Sequence, residues 1–106
     1  MITILKLAPG FFPEIKKIDQ NLEAYQKEVD GLIDIIEITP EIDLVVNDDF
    51  LGNDSEFTLN IRNQIFVFGN CYFVGRDGTN LSDDNIAKIF NSLMIYEQGF
   101  FLSEVI

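Results

Sequence analysis

Short apolar runs alternate with polar turns along this chain, and the spacing of the apolar positions predicts both strands and helices. Ile2, Ile4 and Leu7 are interrupted by Thr3 and Lys6, which predicts a first strand ending at the Pro9-Gly10 turn. After Phe11-Phe12-Pro13, the stretch Glu14-Ile15-Lys16-Lys17-Ile18 reads as a short second strand folding back on the first. The period then lengthens. Leu22, Tyr25 and Val29 recur at i, i+3 and i+7, one face of a helix that starts at Asn21 or Leu22. Asp19 or Asn21 can cap it, and Gly31 stands where a helix exit calls for positive φ. Leu32-Ile33-Asp34-Ile35-Ile36-Glu37-Ile38 is a β-branched strand stopped by Pro40. In the next strand Ile42, Leu44 and Val46 face one side, and Asp43, Val45 and Asn47 the other.

The second half is less regular. Asn47-Asp48-Asp49 through Gly52-Asn53-Asp54-Ser55 is a polar connection of turn-favouring residues. Residues 57–61 fit either a strand or an ordered loop. Gln64-Ile65-Phe66-Val67-Phe68 and Cys71-Tyr72-Phe73-Val74 flank Gly69-Asn70, as one strand bulged at Gly69 or as a tight hairpin. After the Arg76-Asp77-Gly78 turn, Ser82 caps a helix whose first turn carries Asp83 and Asp84. Ile86, Ile89, Phe90 and Leu93 form its apolar stripe, and the pattern runs out near Ile95 or Tyr96. The tail Gly99-Phe100-Phe101-Leu102 and onward is too apolar to float, so it is a last strand or a contact surface. The expectation is one α+β domain over residues 1–106. It has a single mixed or antiparallel sheet of about five or six strands, a β-grasp-like ββαββ opening, two helices in all and the second near the C-terminus.

Charge changes this picture. Eighteen acidic residues against seven basic ones give a net charge of −11. Such a field repels nucleic acid and anionic membranes and attracts basic surfaces. The acids are also segregated. Glu28, Asp30, Asp34, Glu37, Glu41, Asp43, Asp48, Asp49, Asp54 and Glu56 follow one another with no Lys or Arg between them. On strands and turns this predicts an extended anionic ridge, whose binding residues are taken as Asp34, Glu37, Asp43, Asp48, Asp49, Asp54 and Glu56. A second candidate surface is apolar: Phe11, Phe12, Phe100, Phe101 and Leu102. Ordinary core packing competes with that reading.

Catalytic chemistry is hard to assemble. The chain has no histidine, so the commonest general base and the Ser/His/Asp and Cys/His triads are missing. Cys71, the single cysteine, sits in an apolar run and reads as a buried, inert thiol. No P-loop or dinucleotide fingerprint occurs. Asn47, Asp49 and Gly52 imitate the start of a calcium loop, but Leu51 and Thr58 occupy the fifth and twelfth positions, where ligands are needed. Neither metal nor cofactor is expected, and the protein is read as a non-enzyme. The opening Met1-Ile2-Thr3-Ile4-Leu5-Lys6 lacks the pattern of a signal peptide, and no apolar run reaches membrane-spanning length. A cytoplasmic site of action follows as an expectation.

Several of these segments together resemble a known family. They are Lys6-Leu7-Ala8-Pro9-Gly10, Leu22-Glu23-Ala24-Tyr25-Gln26, Val29-Asp30-Gly31-Leu32-Ile33-Asp34 and Asp43-Leu44-Val45-Val46-Asn47-Asp48-Asp49. Further on come Phe68-Gly69-Asn70-Cys71-Tyr72-Phe73-Val74-Gly75, Arg76-Asp77-Gly78 and Leu81-Ser82-Asp83-Asp84. Over about residues 1–91 the chain resembles a family of small phage- and plasmid-encoded proteins known only as a domain of unknown function. The resemblance implies a mobile-element accessory protein made in a bacterial cell, and it carries over no active site. Joined to the acidity, it leads to an expected function: inhibition of a host nucleic-acid-handling defence system, of anti-CRISPR or antirestriction type. The protein would occupy a basic surface of the target, as a DNA mimic. The alternative is a structural or regulatory module acting through apolar protein–protein contacts, a homodimer contact among them.

Overall fold

Apolar side chains stand on both faces of the central strands, and two layers are needed to cover them. The computed structural model describes residues 1–51, 55–96 and 99–103. In chain order the strands are β1 (Ile2–Leu7), β2 (Glu14–Ile18), β3 (Ile33–Thr39), β4 (Ile42–Asn47), β5 (Phe57–Ile61), β6 (Ile65–Phe68), β7 (Cys71–Gly75), β8 (Leu93–Tyr96) and β9 (Gly99–Leu102). Helix α1 (Leu22–Glu28) lies between β2 and β3, and α2 (Asp83–Ser92) between β7 and β8, after a 3-10 turn at Arg76–Gly78. Five strands form an antiparallel sheet in the order β2-β1-β7-β4-β3. The other four form a mixed sheet, β6-β5-β9-β8, in which β5 and β9 are parallel.

The single sheet expected from the sequence is therefore two sheets. The ββαββ opening exists as an element order, but its two hairpins are joined by β7, antiparallel to both β1 and β4. Residues 57–61 and the Phe-rich tail are strands, and they supply the middle of the second sheet. The chain crosses from one sheet to the other at Gly69, with φ of +82°, so β6 and β7 form neither a hairpin nor one bulged strand.

Alternation along β4 explains the layers. Ile42, Leu44 and Val46 join Leu5, Leu7 and Phe73 in a core shared with the second sheet and α2. Val45 faces the other way and packs with Ile4, Tyr72, Val74 and α1 residue Tyr25. The order is thus α1, first sheet, then second sheet with α2. Asn21 caps α1, accepting from the Ala24 N–H at 2.8 Å. The exit of α1 differs from expectation: Asp30, not Gly31, takes the left-handed conformation, with φ of +60°. Gly31 is needed for space instead, since a Cβ there would meet the Asn47 side chain at 2.8 Å. Leu22, placed on the buried face by spacing, is exposed.

Helix α2 ends at Ser92, three or four residues before the expected Ile95 or Tyr96. Leu93 already has extended angles (φ −87°, ψ 121°), and Leu93–Tyr96 pairs with β9. Ile86 and Ile89 are buried as expected, whereas Phe90 is 43% exposed and lies off the buried face.

Candidate functional site

The acidic ridge is not continuous. Glu28 is only 6% exposed, and its Oε1 accepts from Lys6 Nζ at 3.0 Å and from Lys16 Nζ at 2.9 Å. Burial pushes this carboxyl up, but the two lysine hydrogen bonds and charges outweigh it and hold it below the usual carboxylate value. Asp43, taken as a binding residue, is 3% exposed and belongs to the interior. Its Oδ2 accepts from the Asp77 N–H at 3.1 Å, and its Oδ1 lies 3.4 Å from Arg76 Nε. Glu37 stands directly across from Asp43 on β3. Like charges in that relation repel, and Arg76 resolves the conflict by also pairing with Glu37 at 3.0 Å and donating to the Thr39 carbonyl. The Arg76 hydrogen bond to Glu37 and the guanidinium charge lower the Glu37 carboxyl. Asp34, Asp48, Asp49 and Glu56 are exposed, Asp34 on edge strand β3 and Asp48 and Asp49 in the turn after β4. Asp54 lies outside the described residues.

The apolar set divides as well. Phe100 and Leu102 are buried between the sheets and belong to the core. Phe101 is half-buried on the opposite face, edge-on to Tyr96 with ring centroids 6.5 Å apart. Phe11 and Phe12 are the outward pair, 72% and 83% exposed. They follow a tight turn in which the Phe11 N–H donates to the Ala8 carbonyl at 3.2 Å. Pro9 takes the second position and Gly10, with φ of +79°, the third, which is type II chemistry.

This loop forms one wall of a groove. Its first lobe, about 550 Å³, is lined by Phe11, Phe12, Phe57, Ile95, Tyr96 and Phe100, with Gly10, Gly99 and, among the described residues, a single acid, Glu56. A Cβ on Gly99 would come within 2.7 Å of the Phe57 ring, so a glycine there keeps β9 against that ring. The second lobe, about 420 Å³, shares Phe11 and Glu56 with the first and adds Asp30, Asp49, Asn47 and Asn70. Its polar walls are fixed: Asn47 Nδ2 donates to the Val29 carbonyl at 2.9 Å, its Oδ1 accepts from the Asp49 N–H at 2.9 Å, and Asn70 Nδ2 donates to Asp30 at 3.2 Å. No Lys or Arg lines either lobe among the described residues.

The structure therefore brings Phe11, Phe12, Phe100, Asp49 and Glu56 to one place and leaves Asp34, Glu37, Asp43, Phe101 and Leu102 elsewhere. Ile95 and Tyr96 were not among the expected site residues. They fall where the sequence reads as the end of the second helix, so only the pairing of β8 with β9 reveals them.

A second feature is the outer side of the second sheet, which no described element covers. Asn60 pairs with Phe66 on one side and Phe101 on the other, and Phe101 pairs with Met94, giving one row across all four strands. Phe66, Met94 and Tyr96 are exposed, and β5, β6, β8 and β9 contain no charged residue.

The cysteine thiol lies away from the described groove walls. Cys71 is fully buried, and burial pushes its thiol up to about 12. Among the described residues, no group of three His, Cys, Asp or Glu could hold a metal ion. Among them too, no helix is long and apolar enough to cross a membrane.

The molecule is a two-sheet α+β domain with an acidic surface and a groove of mixed aromatic and carboxylate lining. Residues 2–94 match the family described as a domain of unknown function, DUF3846, and the chain belongs to that family. No curated protein and no solved structure matches it.

Proposed function

We propose that this chain is a non-enzymatic binding protein that meets a basic surface of another protein. The observation that carries the reading is which acids are buried with cations and which stand exposed. Lys6, Lys16 and Arg76 are held by Glu28, Asp43 and Glu37, while the groove and the adjoining turn present Asp30, Asp48, Asp49 and Glu56 to solvent. Such a surface favours fast, salt-sensitive association with Lys- and Arg-rich partners. In the phage or plasmid setting that the sequence resemblance implies, the fitting target is the nucleic-acid channel of a bacterial defence nuclease. Inhibition by occupying that channel, inside the host cytoplasm, is the function put forward.

The test is a DNA-cleavage assay with purified restriction enzymes and RNA-guided nucleases. Wild-type protein is expected to inhibit at least one of them. Changing Asp48, Asp49 and Glu56 to Lys raises the net charge from −11 by six to −5 and is expected to abolish inhibition. Asp43 is left alone because it is structural. A control with Lys at Asp19, Glu23 and Asp84, all exposed and outside the groove, makes the same change in net charge and is expected to inhibit normally. Equal loss in both triples shows that only overall charge matters, and no inhibition of any nuclease overturns the reading.

A second reading, a structural or regulatory module acting through apolar contact or self-association, is favoured by the uncharged, partly exposed outer face of the second sheet.

A further inference from the structure

We infer that the two-lobed groove is an anchoring site for an extended, basic segment of the partner, which inserts an apolar side chain in the first lobe and a Lys or Arg in the second. This rests on the basic-partner reading and specifies which part of the surface makes the contact. Three observations converge on that occupant. The lobes adjoin through Phe11 and Glu56, so one continuous segment can reach both. The first lobe is walled by rings and by Ile95, and its size accommodates one aliphatic or aromatic side chain. The second places Asp30, Asp49 and Glu56 around a cavity with no cation in its described lining, so a guanidinium or ammonium entering it meets only opposite charge.

The first lobe is bordered by β8, β9 and β5 and the second by the end of β6, so a segment filling both runs across the strand ends of the second sheet. A guanidinium passing Phe11 also gains cation–π attraction before it reaches the carboxylates. Charge alone would leave the aromatic lobe unused, and apolar contact alone would draw water off the carboxylates without supplying a cation. A segment carrying both satisfies both.

The experiment uses three short fluorescein-labelled peptides that alternate Arg with Leu, Arg with Ser, and Glu with Leu. The Arg-Leu peptide is expected to bind most tightly, with amide shifts concentrated at Gly10, Glu56, Gly69 and Gly99. Phe12→Ala combined with Tyr96→Ala, both at exposed positions, should weaken that peptide by about tenfold or more and leave the Arg-Ser peptide unchanged. Glu56→Gln should weaken both Arg peptides. Equal binding of the Arg-Leu and Arg-Ser peptides, or no effect of the double variant, overturns the groove inference while the basic-partner reading stands. Equal binding of the Glu-Leu and Arg-Leu peptides removes its charge component and overturns it too. Binding of neither Arg peptide at low salt also overturns it, and the cleavage assay then decides the broader reading by itself.

Discussion

Asp43 shows how a residue can be correctly placed and wrongly used. Alternation along β4 put it on the face opposite Ile42 and Leu44, and it is on that face. What the pattern could not supply is the layer covering that face, or the cation that neutralises the charge. Arg76 comes from the far side of β7, beyond any local run of charge. The structural role predicts that Asp43→Ala costs about 2–4 kcal/mol, somewhat less than a fully dry ion pair because Arg76 is partly exposed. Asp34→Ala, at an exposed position, should change the urea midpoint by no more than about 0.5 kcal/mol equivalent. Glu28 yields a prediction in pH. Its folded pKa lies below the ordinary 4.5, so its contribution is fully present above that value and is lost as pH falls through the lower, folded value. Glu28→Gln leaves Lys6 and Lys16 facing a neutral amide and should cost about 1–3 kcal/mol at pH 7. The gap between wild type and variant in urea denaturation should narrow below about pH 4. A gap constant from pH 7 to about pH 3 would show that the lysine pair gives the carboxyl no preferential stabilisation. Cys71 was legible as it stands: an apolar neighbourhood predicts a buried thiol, and burial raises it to about 12. Native protein should resist thiol reagents at pH 8, with labelling appearing only on unfolding.

At the scale of elements, the strand positions were readable wherever alternation was strong. β1, β2 and β4 depend on local sequence for their type and on little else. The failures fall where two periods agree with the same residues. Ile86, Ile89, Phe90 and Leu93 share a helical spacing, and nothing local says that the helix stops at Ser92. The stop is imposed by tertiary pairing: β9 offers a ladder to Leu93–Tyr96, and the sheet it completes covers the core face of β4 and β7. The groove was hidden for the same reason, because Ile95 and Tyr96 border it only once β8 pairs with β9. The two phenotypes of α2 follow. Ile89 is fully buried among Leu81, Ile86 and the second sheet, so Ile89→Ala should cost about 2–5 kcal/mol. Phe90→Ala, at a 43% exposed position, should cost under about 1 kcal/mol. Equal shifts in the denaturation midpoints of the two variants would mean that α2 turns a different face inward.

For the whole molecule, the decisive property is where charge is missing. The chain carries −11, yet the strands of the second sheet carry none, and their outer row of Phe66, Phe101 and Met94 faces away from the core. Two copies meeting by this face would bury apolar area while keeping their acids apart. Four strands about 4.8 Å apart and about four residues long present only about 250 Å² in projection, well under the roughly 800 Å² per partner of a stable complex. Self-association is therefore expected to be weak, and at low ionic strength repulsion between two chains of −11 each opposes it. Salt shortens the screening length from about 10 Å at 0.1 M to about 3 Å at 1 M, which removes the repulsion and leaves the apolar contact. Sedimentation velocity should show monomer at low salt and a concentration-dependent rise in the average coefficient as salt increases. Met94→Lys should abolish that rise, and the Lys triple at Asp48, Asp49 and Glu56 should bring it to lower salt. Binding to a basic partner carries the opposite sign, weakening as salt rises. A salt series on one preparation thus assigns the two surfaces separately: the groove by what salt dissociates, the bare sheet by what salt assembles. A coefficient that stays monomeric up to 1 M salt at high protein concentration would show that the sheet face does not bind itself.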